Sequence, residues 1–188
     1  MKGTTRCQWA ETDQLLREYH DKEWGVPTHD DHKLFEFLIL EGAQAGLNWL
    51  IILKKRNAFR VAFDGFDPRK IAKYSGVDIK KLLANPEIIR NRLKISAAVT
   101  NARQFLMIQD EFGSFNDYIW QFVGYKPIKH RFRFLSTIPA KSKESDRMSE
   151  GLRKRGFKFV GSTICYAFMQ AVGMVNDHTI HCFRYNEV

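Results

Sequence analysis

Four side chains with metal-ligand chemistry stand at opposite ends of this sequence: Cys7 and His20 near the start, His178 and Cys182 near the finish. Two thiolates and two imidazoles fill the tetrahedral shell that zinc prefers and leave no position for a water. A closed shell of this kind predicts a structural metal, not a catalytic one. Because its ligands come from both ends, the metal would tie the termini into one unit, where a chain otherwise frays first. His181 lies beside the second pair and competes as a ligand.

Glu41 is the other candidate. It follows the apolar run Phe37-Leu38-Ile39-Leu40 and precedes the small residues Gly42, Ala43, Ala45 and Gly46, with Trp49 close behind. Small residues permit close approach of a ligand or another surface. A carboxylate bordering them, with a tryptophan at hand, suits a flat heterocycle; the plainer alternative is a glutamate at a helix end. Trp9, Tyr19 and Trp24 crowd around His20 in sequence. They read either as local core around the metal or as a stacking surface for a nucleic-acid base. Cys165, within Thr163-Ile164-Cys165-Tyr166-Ala167-Phe168, reads as a buried small hydrophobe.

The elements that must position these residues are helical. Asp30 or Asp31 can cap a helix running to about Ala45, which Gly46 stops. Asn48 can cap the next, from Trp49 to about Ala62. Asp67-Pro68 is a cap followed by proline at the first helical position, and Asn85-Pro86 repeats that pairing. Ser114 with Asp117 resembles a capping box ended by Gly124, and Gly156 and Gly173 mark further ends. Apolar residues recur at helical spacing from Ile95 to about Glu111. The best strand candidate, Phe157-Lys158-Phe159-Val160, is short. The expectation is an all-α domain of eight to ten helices spanning residues 1–188, with Lys126 to Ser145 as a basic loop over the bundle or along DNA.

Composition sets the partner class. The chain has 188 residues, 44% hydrophobic and 13% aromatic, enough for one domain with a substantial core. Three cysteines argue against a disulfide framework. No apolar run is long enough to span a membrane, and Met1 to Gln14 has no signal-peptide core, so an intracellular protein is expected. The net charge of +9 favours a polyanionic partner. Basic residues gather at Lys54-Lys55-Arg56, at Arg90, Arg92 and Lys94, and at Arg153-Lys154-Arg155 with Lys158. The second cluster opens the long helix after a tight turn, so the segment from Asp78 onward looks like a helix-hairpin-helix facing a DNA phosphate. An ordinary helical corner is the alternative. The usual glycine-rich hairpin is absent, with Glu87 and Leu93 where glycine would help.

Longer motifs carry a resemblance. Tyr19-His20-Asp21-Lys22-Glu23-Trp24-Gly25-Val26-Pro27 looks like a signature of the bacterial 3-methyladenine DNA glycosylase I family. The stretch from Leu40 to Trp49, Leu53-Lys54-Lys55-Arg56, the stretch from Arg155 to Gly161, and Asn176-Asp177-His178 match its later blocks in order. The resemblance implies a helical fold of the helix-hairpin-helix glycosylase superfamily. It implies hydrolysis of the N-glycosidic bond of 3-methyladenine in alkylated double-stranded DNA, leaving an abasic site. Methylation at N3 makes the base cationic and already a good leaving group, so the work lies in extruding and recognising it. The family is understood to lack the aspartate that other members of the superfamily carry after the hairpin, and neither Asp110 nor Asp117 is given that role. No hairpin lysine stands out as a Schiff-base nucleophile, so no lyase step is expected. By resemblance Glu41 is the catalytic carboxylate, Glu41 and Tyr19 hydrogen-bond the extruded base, Trp49 stacks on it, and Trp9 and Trp24 wall the pocket. Leu47 is the residue expected to fill the gap in the DNA stack. The family pattern prefers His178 and Cys182 over His181 as ligands, with zinc the metal. A monomeric cytoplasmic enzyme follows. The rival classes are a zinc-stabilised DNA-binding module without catalysis and a zinc hydrolase, the latter disfavoured by the closed shell.

Overall fold

The computed structural model describes residues 5–188. Among them are nine α-helices: α1 (Gln14–Lys22), α2 (Asp31–Gln44), α3 (Trp49–Ala62), α4 (Pro68–Ile71), α5 (Gly76–Ala84), α6 (Arg92–Phe112), α7 (Phe115–Trp120), α8 (Lys143–Lys154) and α9 (Ser162–Ala171). Two strands of two residues each, β1 (Ile128–Lys129) and β2 (Val175–Asn176), pair in parallel with Ile128 opposite Val175. No helix among the described residues is long and apolar enough to cross a membrane.

The organising element is α2. Asp30 caps it by accepting from the Lys33 N–H at 2.8 Å. Every residue from Leu34 to Ala43 is buried, so the helix is covered on all sides, by α3, α6, α7 and α9. Asp31, in its first turn, reaches outward and accepts from the backbone N–H groups of Phe115 at 2.8 Å and Asn116 at 2.7 Å, tying the start of α7 to the start of α2. The helix stops at Gly46, whose φ of +76° is a conformation that a Cβ would strain. The turn then enters α3 with the Asn48 side chain accepting from the Leu50 N–H at 2.7 Å. Glu41 and Trp49 are therefore presented on either side of one short reversal.

Most expected helix boundaries match the structure, and three local expectations do not. Asn85-Pro86 does not start a helix. The residue before a proline is driven to extended backbone, and Asn85 (φ −81°, ψ 110°) instead closes α5. Its side chain accepts from the Glu87 N–H at 2.9 Å, and α6 begins only where Asn91 accepts from the Lys94 N–H at 3.1 Å. The intervening chain turns at Pro86 and Glu87, with Ile88 buried at the bend. Phe157–Val160 is irregular, not a strand, because Phe159 takes a positive φ of 53°. Ser114 caps α7 by accepting from the Asp117 N–H, but only that half of a capping box forms.

Candidate base pocket and Cys/His cluster

The reversal between α2 and α3 opens onto a cavity of about 630 Å³, within the size range of small-molecule sites. Trp9, Leu16, Tyr19 and Trp24 form one wall. Glu41, Gln44, Asn48 and Trp49 form the floor and one side. Helix α9 contributes Thr163, Tyr166, Ala167 and Gln170, and Leu135, Ile138, Pro139 and Ala140 close the last side. The aromatic rings lean on each other edgewise or tilted, with Trp9 and Trp24 centroids 5.1 Å apart at 77° and Tyr19 and Trp49 5.5 Å apart at 48°. These contacts fix the rings and leave faces for a planar guest.

Two polar atoms in this cavity are left unfinished. Glu41 is 3% exposed and its Oε2 has no hydrogen-bond partner; the buried Nε1 of Trp49 has none either. A buried polar group without a partner costs about 1–3 kcal/mol, more when it carries charge. Burial pushes the Glu41 carboxyl up to about 8. Burial, with the Glu41 carboxylate as the next contributor, also raises the Tyr19 hydroxyl well above its ordinary value, so it stays a neutral donor. The cavity thus suits a flat, electron-poor heterocycle that brings N–H donors or positive charge to Glu41 and a ring face to Trp49.

The Cys/His cluster lies behind the aromatic wall. The ligand atoms of Cys7, His20, His178 and Cys182 all lie within 4.8 Å of one another, and all four residues are buried. Cys182 Sγ is 3.3 Å from His20 Nε2 and 3.5 Å from His178 Nδ1, and Cys7 Sγ is 3.7 Å from the same Nδ1. A tetrahedral zinc with ordinary Zn–S and Zn–N bonds sets its sulfur and nitrogen ligands about 3.6 Å apart, so the set fits such an ion. The other nitrogen of each imidazole is engaged. His20 Nδ1 is 2.8 Å from Asp21, whose carboxylate accepts from Arg6, and His178 Nε2 is 3.1 Å from the Trp24 carbonyl. Such partners orient metal-binding histidines. His181 is exposed and outside the cluster. His20 joins the two regions, since its ring lies 5.3 Å from Trp9 while Tyr19 next to it lines the cavity.

The basic clusters divide. Arg90 and Arg92 are exposed at the hairpin, as a phosphate contact requires. Lys94 is not: its Nζ donates to the carbonyls of Ala43 at 2.7 Å and Ala45 at 2.6 Å, so two of its three donors are spent inside. Lys55 donates to the carbonyls of Pro86 and Glu87, which holds the hairpin turn in place without the usual glycines. Arg56 is locked between Glu36 and Glu23, and Arg155 pairs with Glu111. Leu47 is 38% exposed at the reversal, between the cavity residues Gln44 and Asn48.

The sequence reading missed the walls contributed by α9 and by Leu135 to Ala140. For the latter, the aliphatic Ile138-Pro139-Ala140 inside an otherwise basic loop was the available signal. For Thr163 and Gln170 there was none, because only the fold turns that side of α9 inward.

A helical fold that sets an aromatic, carboxyl-bearing cavity close to the exposed Arg90 and Arg92 describes a protein built to take a flat, electron-poor guest near a polyanion. The model of the methyladenine glycosylase family matches residues 9–185. The DNA-3-methyladenine glycosylase of Haemophilus influenzae is 48% identical over 179 residues, covering 95% of this chain and 97% of that protein. A crystal structure of 3-methyladenine DNA glycosylase I superposes with a TM-score of 0.93 at 49% identity, covering 95% of this chain and 98% of its own. A variant of 3-methyladenine DNA glycosylase I in complex with 3-methyladenine gives a TM-score of 0.92 at 34% identity, covering 95% and 96%. The chain belongs to the methyladenine glycosylase family.

Proposed function

We infer that this protein is a DNA glycosylase that excises 3-methyladenine from alkylated double-stranded DNA. Water attacks the sugar carbon as the N-glycosidic bond breaks; the cationic base takes the bonding electrons and leaves as a neutral molecule, the sugar carbon gains a hydroxyl, and the water's other proton passes to solvent, giving an abasic site. Because N3-methylation makes the base cationic, its departure needs no proton from the protein. The observation that carries this reading is the buried, partnerless Oε2 of Glu41 in an aromatic cavity. A buried oxygen that no protein group pairs with is stabilised most by a guest that supplies both an N–H and positive charge.

The cavity and the family membership support the following roles. Glu41 accepts from the exocyclic amine and favours the cationic base, and Tyr19 supplies a second hydrogen bond. Trp49 stacks on the ring, while Trp9 and Trp24 hold the wall. Arg90 and Arg92 contact the DNA backbone, and Leu47 enters the stack vacated by the extruded nucleotide. A structural zinc held by Cys7, His20, His178 and Cys182 would fasten the wall that carries Trp9 and Tyr19 to the C-terminal segment. The protein acts as a single-domain monomer in the cytoplasm.

The test is incubation with alkylated DNA and chromatographic identification of the released base. Free 3-methyladenine with intact strands is the expected product; binding to alkylated DNA with no base released would instead mark a non-catalytic DNA-binding module. Glu41→Ala should slow excision by more than about 100-fold, equivalent to about 2.7 kcal/mol of barrier. An unchanged rate in a folded Glu41→Ala variant would remove Glu41 from the site.

A further inference from the structure

Two lysines cross between the hairpin and the cavity in opposite directions. Lys94, in the first turn of α6, donates to the carbonyls of Ala43, in the last turn of the helix that carries Glu41, and of Ala45, the residue that caps its C-terminus. Lys55, on the helix that carries Trp49, donates to the carbonyls of Pro86 and Glu87 in the hairpin turn. A cation at a helix C-terminus satisfies carbonyls that have no partner within the helix and opposes the negative end of its dipole. Burial lowers the Lys94 ammonium from its ordinary value, consistent with a cation withdrawn from solvent. The Lys94 bonds end one residue before Gly46 and two before Leu47, so they set the reversal that separates Glu41 from Trp49.

We propose that Lys94 and Lys55 form a reciprocal stitch, with Lys94 a positioning residue that holds the cavity's reversal in register with the DNA-bound hairpin. DNA held at Arg90 and Arg92 is thereby placed so that an extruded base meets Glu41 and Trp49. The stitch makes Lys94 a backbone clamp within the protein, not a phosphate contact. A shift of about 1 Å in such placement is enough to cost about 100-fold in rate. The proposal rests on the glycosylase reading above and deepens it.

The experiment compares wild type, Lys94→Met, Lys94→Arg and Lys55→Met. For each it measures single-turnover release of 3-methyladenine at saturating enzyme, DNA affinity at several salt concentrations, binding of free 3-methyladenine by tryptophan fluorescence, and the melting temperature. Lys94→Met should lower the saturated excision rate at least tenfold, with DNA affinity within twofold of wild type and the salt slope unchanged. Lys94→Arg, which keeps a cation with donors for the two carbonyls, should recover most of the rate. Lys55→Met should lower the rate in the same way without weakening binding of the free base. A phosphate contact predicts the reverse: weaker DNA binding, a salt slope reduced by about one, and a normal saturated rate. That pattern overturns the proposal, as does a normal rate in both methionine variants. A rate loss that merely tracks lost thermal stability and lost free-base binding overturns it too. Absence of base release by wild type would sink the glycosylase reading itself, an outcome distinct from any of these.

Discussion

The cavity and the Cys/His cluster are both buried, both polar and separated by a single aromatic wall, yet they are finished to different degrees. In the cluster each histidine has its second nitrogen engaged, by Asp21 or by the Trp24 carbonyl, and Cys7 Sγ accepts from the Thr179 N–H at 3.4 Å. In the cavity Glu41 Oε2 and Trp49 Nε1 have no partner. A polar cluster satisfied at every position works for the fold. One left open to a cavity can take its missing partners from a guest. The contrast distinguishes a cluster satisfied by its own neighbours from one open to a guest, without reference to residue type.

The sharpest way to break that contrast is to disturb the finished side. Cys182→Ala, or chelation of a bound metal, should lower stability by more than about 4 kcal/mol, the range in which loss of a metal or a buried polar network falls. Thermal unfolding followed with and without chelator measures this. Base binding should fall with it, because His20 packs on Trp9 and precedes Tyr19. A variant that lost excision while keeping its melting temperature would place the cluster on the functional side of the comparison.

Disturbing the open side should do the opposite. Trp49→Ala should weaken binding of free 3-methyladenine by about 1–3 kcal/mol, the worth of one base–aromatic stack. Titration by calorimetry reads it. Since Trp49 is only partly buried against the core, the melting temperature should shift far less than in Cys182→Ala.

Glu41 sharpens the comparison through pH. In the unfolded chain its carboxyl ionises near the ordinary value of 4.5, while in the folded protein burial holds the proton until about 8. Between those values the unfolded state releases a proton that the folded state retains, so stability falls as pH rises through this window and levels off above it. Each tenfold gain in proton affinity on folding corresponds to about 1.4 kcal/mol before relaxation and water entry reduce it. Glu41→Gln should therefore match wild type near pH 4.5 and become more stable by about 2 kcal/mol near pH 8, as read by denaturant unfolding. Saturating 3-methyladenine should shrink the difference. No pH dependence in the difference between the two proteins would mean that water already satisfies Oε2 and that the cavity is finished after all.

The sequence carried the finished side almost completely. Cys7, His20, His178 and Cys182 stood out by residue type and the fold brings them together, leaving the competing His181 outside, and the caps Asp30, Asn48 and Asp67 act where their short polar side chains precede helical runs. The open side was legible only in part. Glu41 and its aromatics stood out, but nothing in the residue string distinguishes a glutamate that has found a partner from one that has not. The basic residues were the least legible. Lys54-Lys55-Arg56 reads as one patch, whereas Lys55 clamps the hairpin, Arg56 fills an ion-pair network and Lys54 is largely exposed. Charge type is local, but its assignment depends on which carbonyl or carboxylate the fold brings within reach.

Leu47 is where the two kinds of site differ by the smallest energy. A leucine serving the core would be buried, and truncating it would cost about 2–5 kcal/mol. Leu47 is 38% exposed and follows Gly46, whose positive φ turns the chain outward. Leu47→Ala should therefore change stability by no more than about 0.5 kcal/mol, as surface substitutions do. If the side chain fills the space left by an extruded base, the same change should weaken binding to DNA containing an abasic-site analogue more than binding to undamaged duplex. The difference should reach a few fold, on the order of 1 kcal/mol, because one apolar side chain then replaces one lost stacking partner. Equal affinity of wild type and Leu47→Ala for the abasic duplex would leave the extrusion of the base to the cavity alone. The unpaired Glu41 and Trp49 would then have to draw the base out without help from a wedge at the mouth.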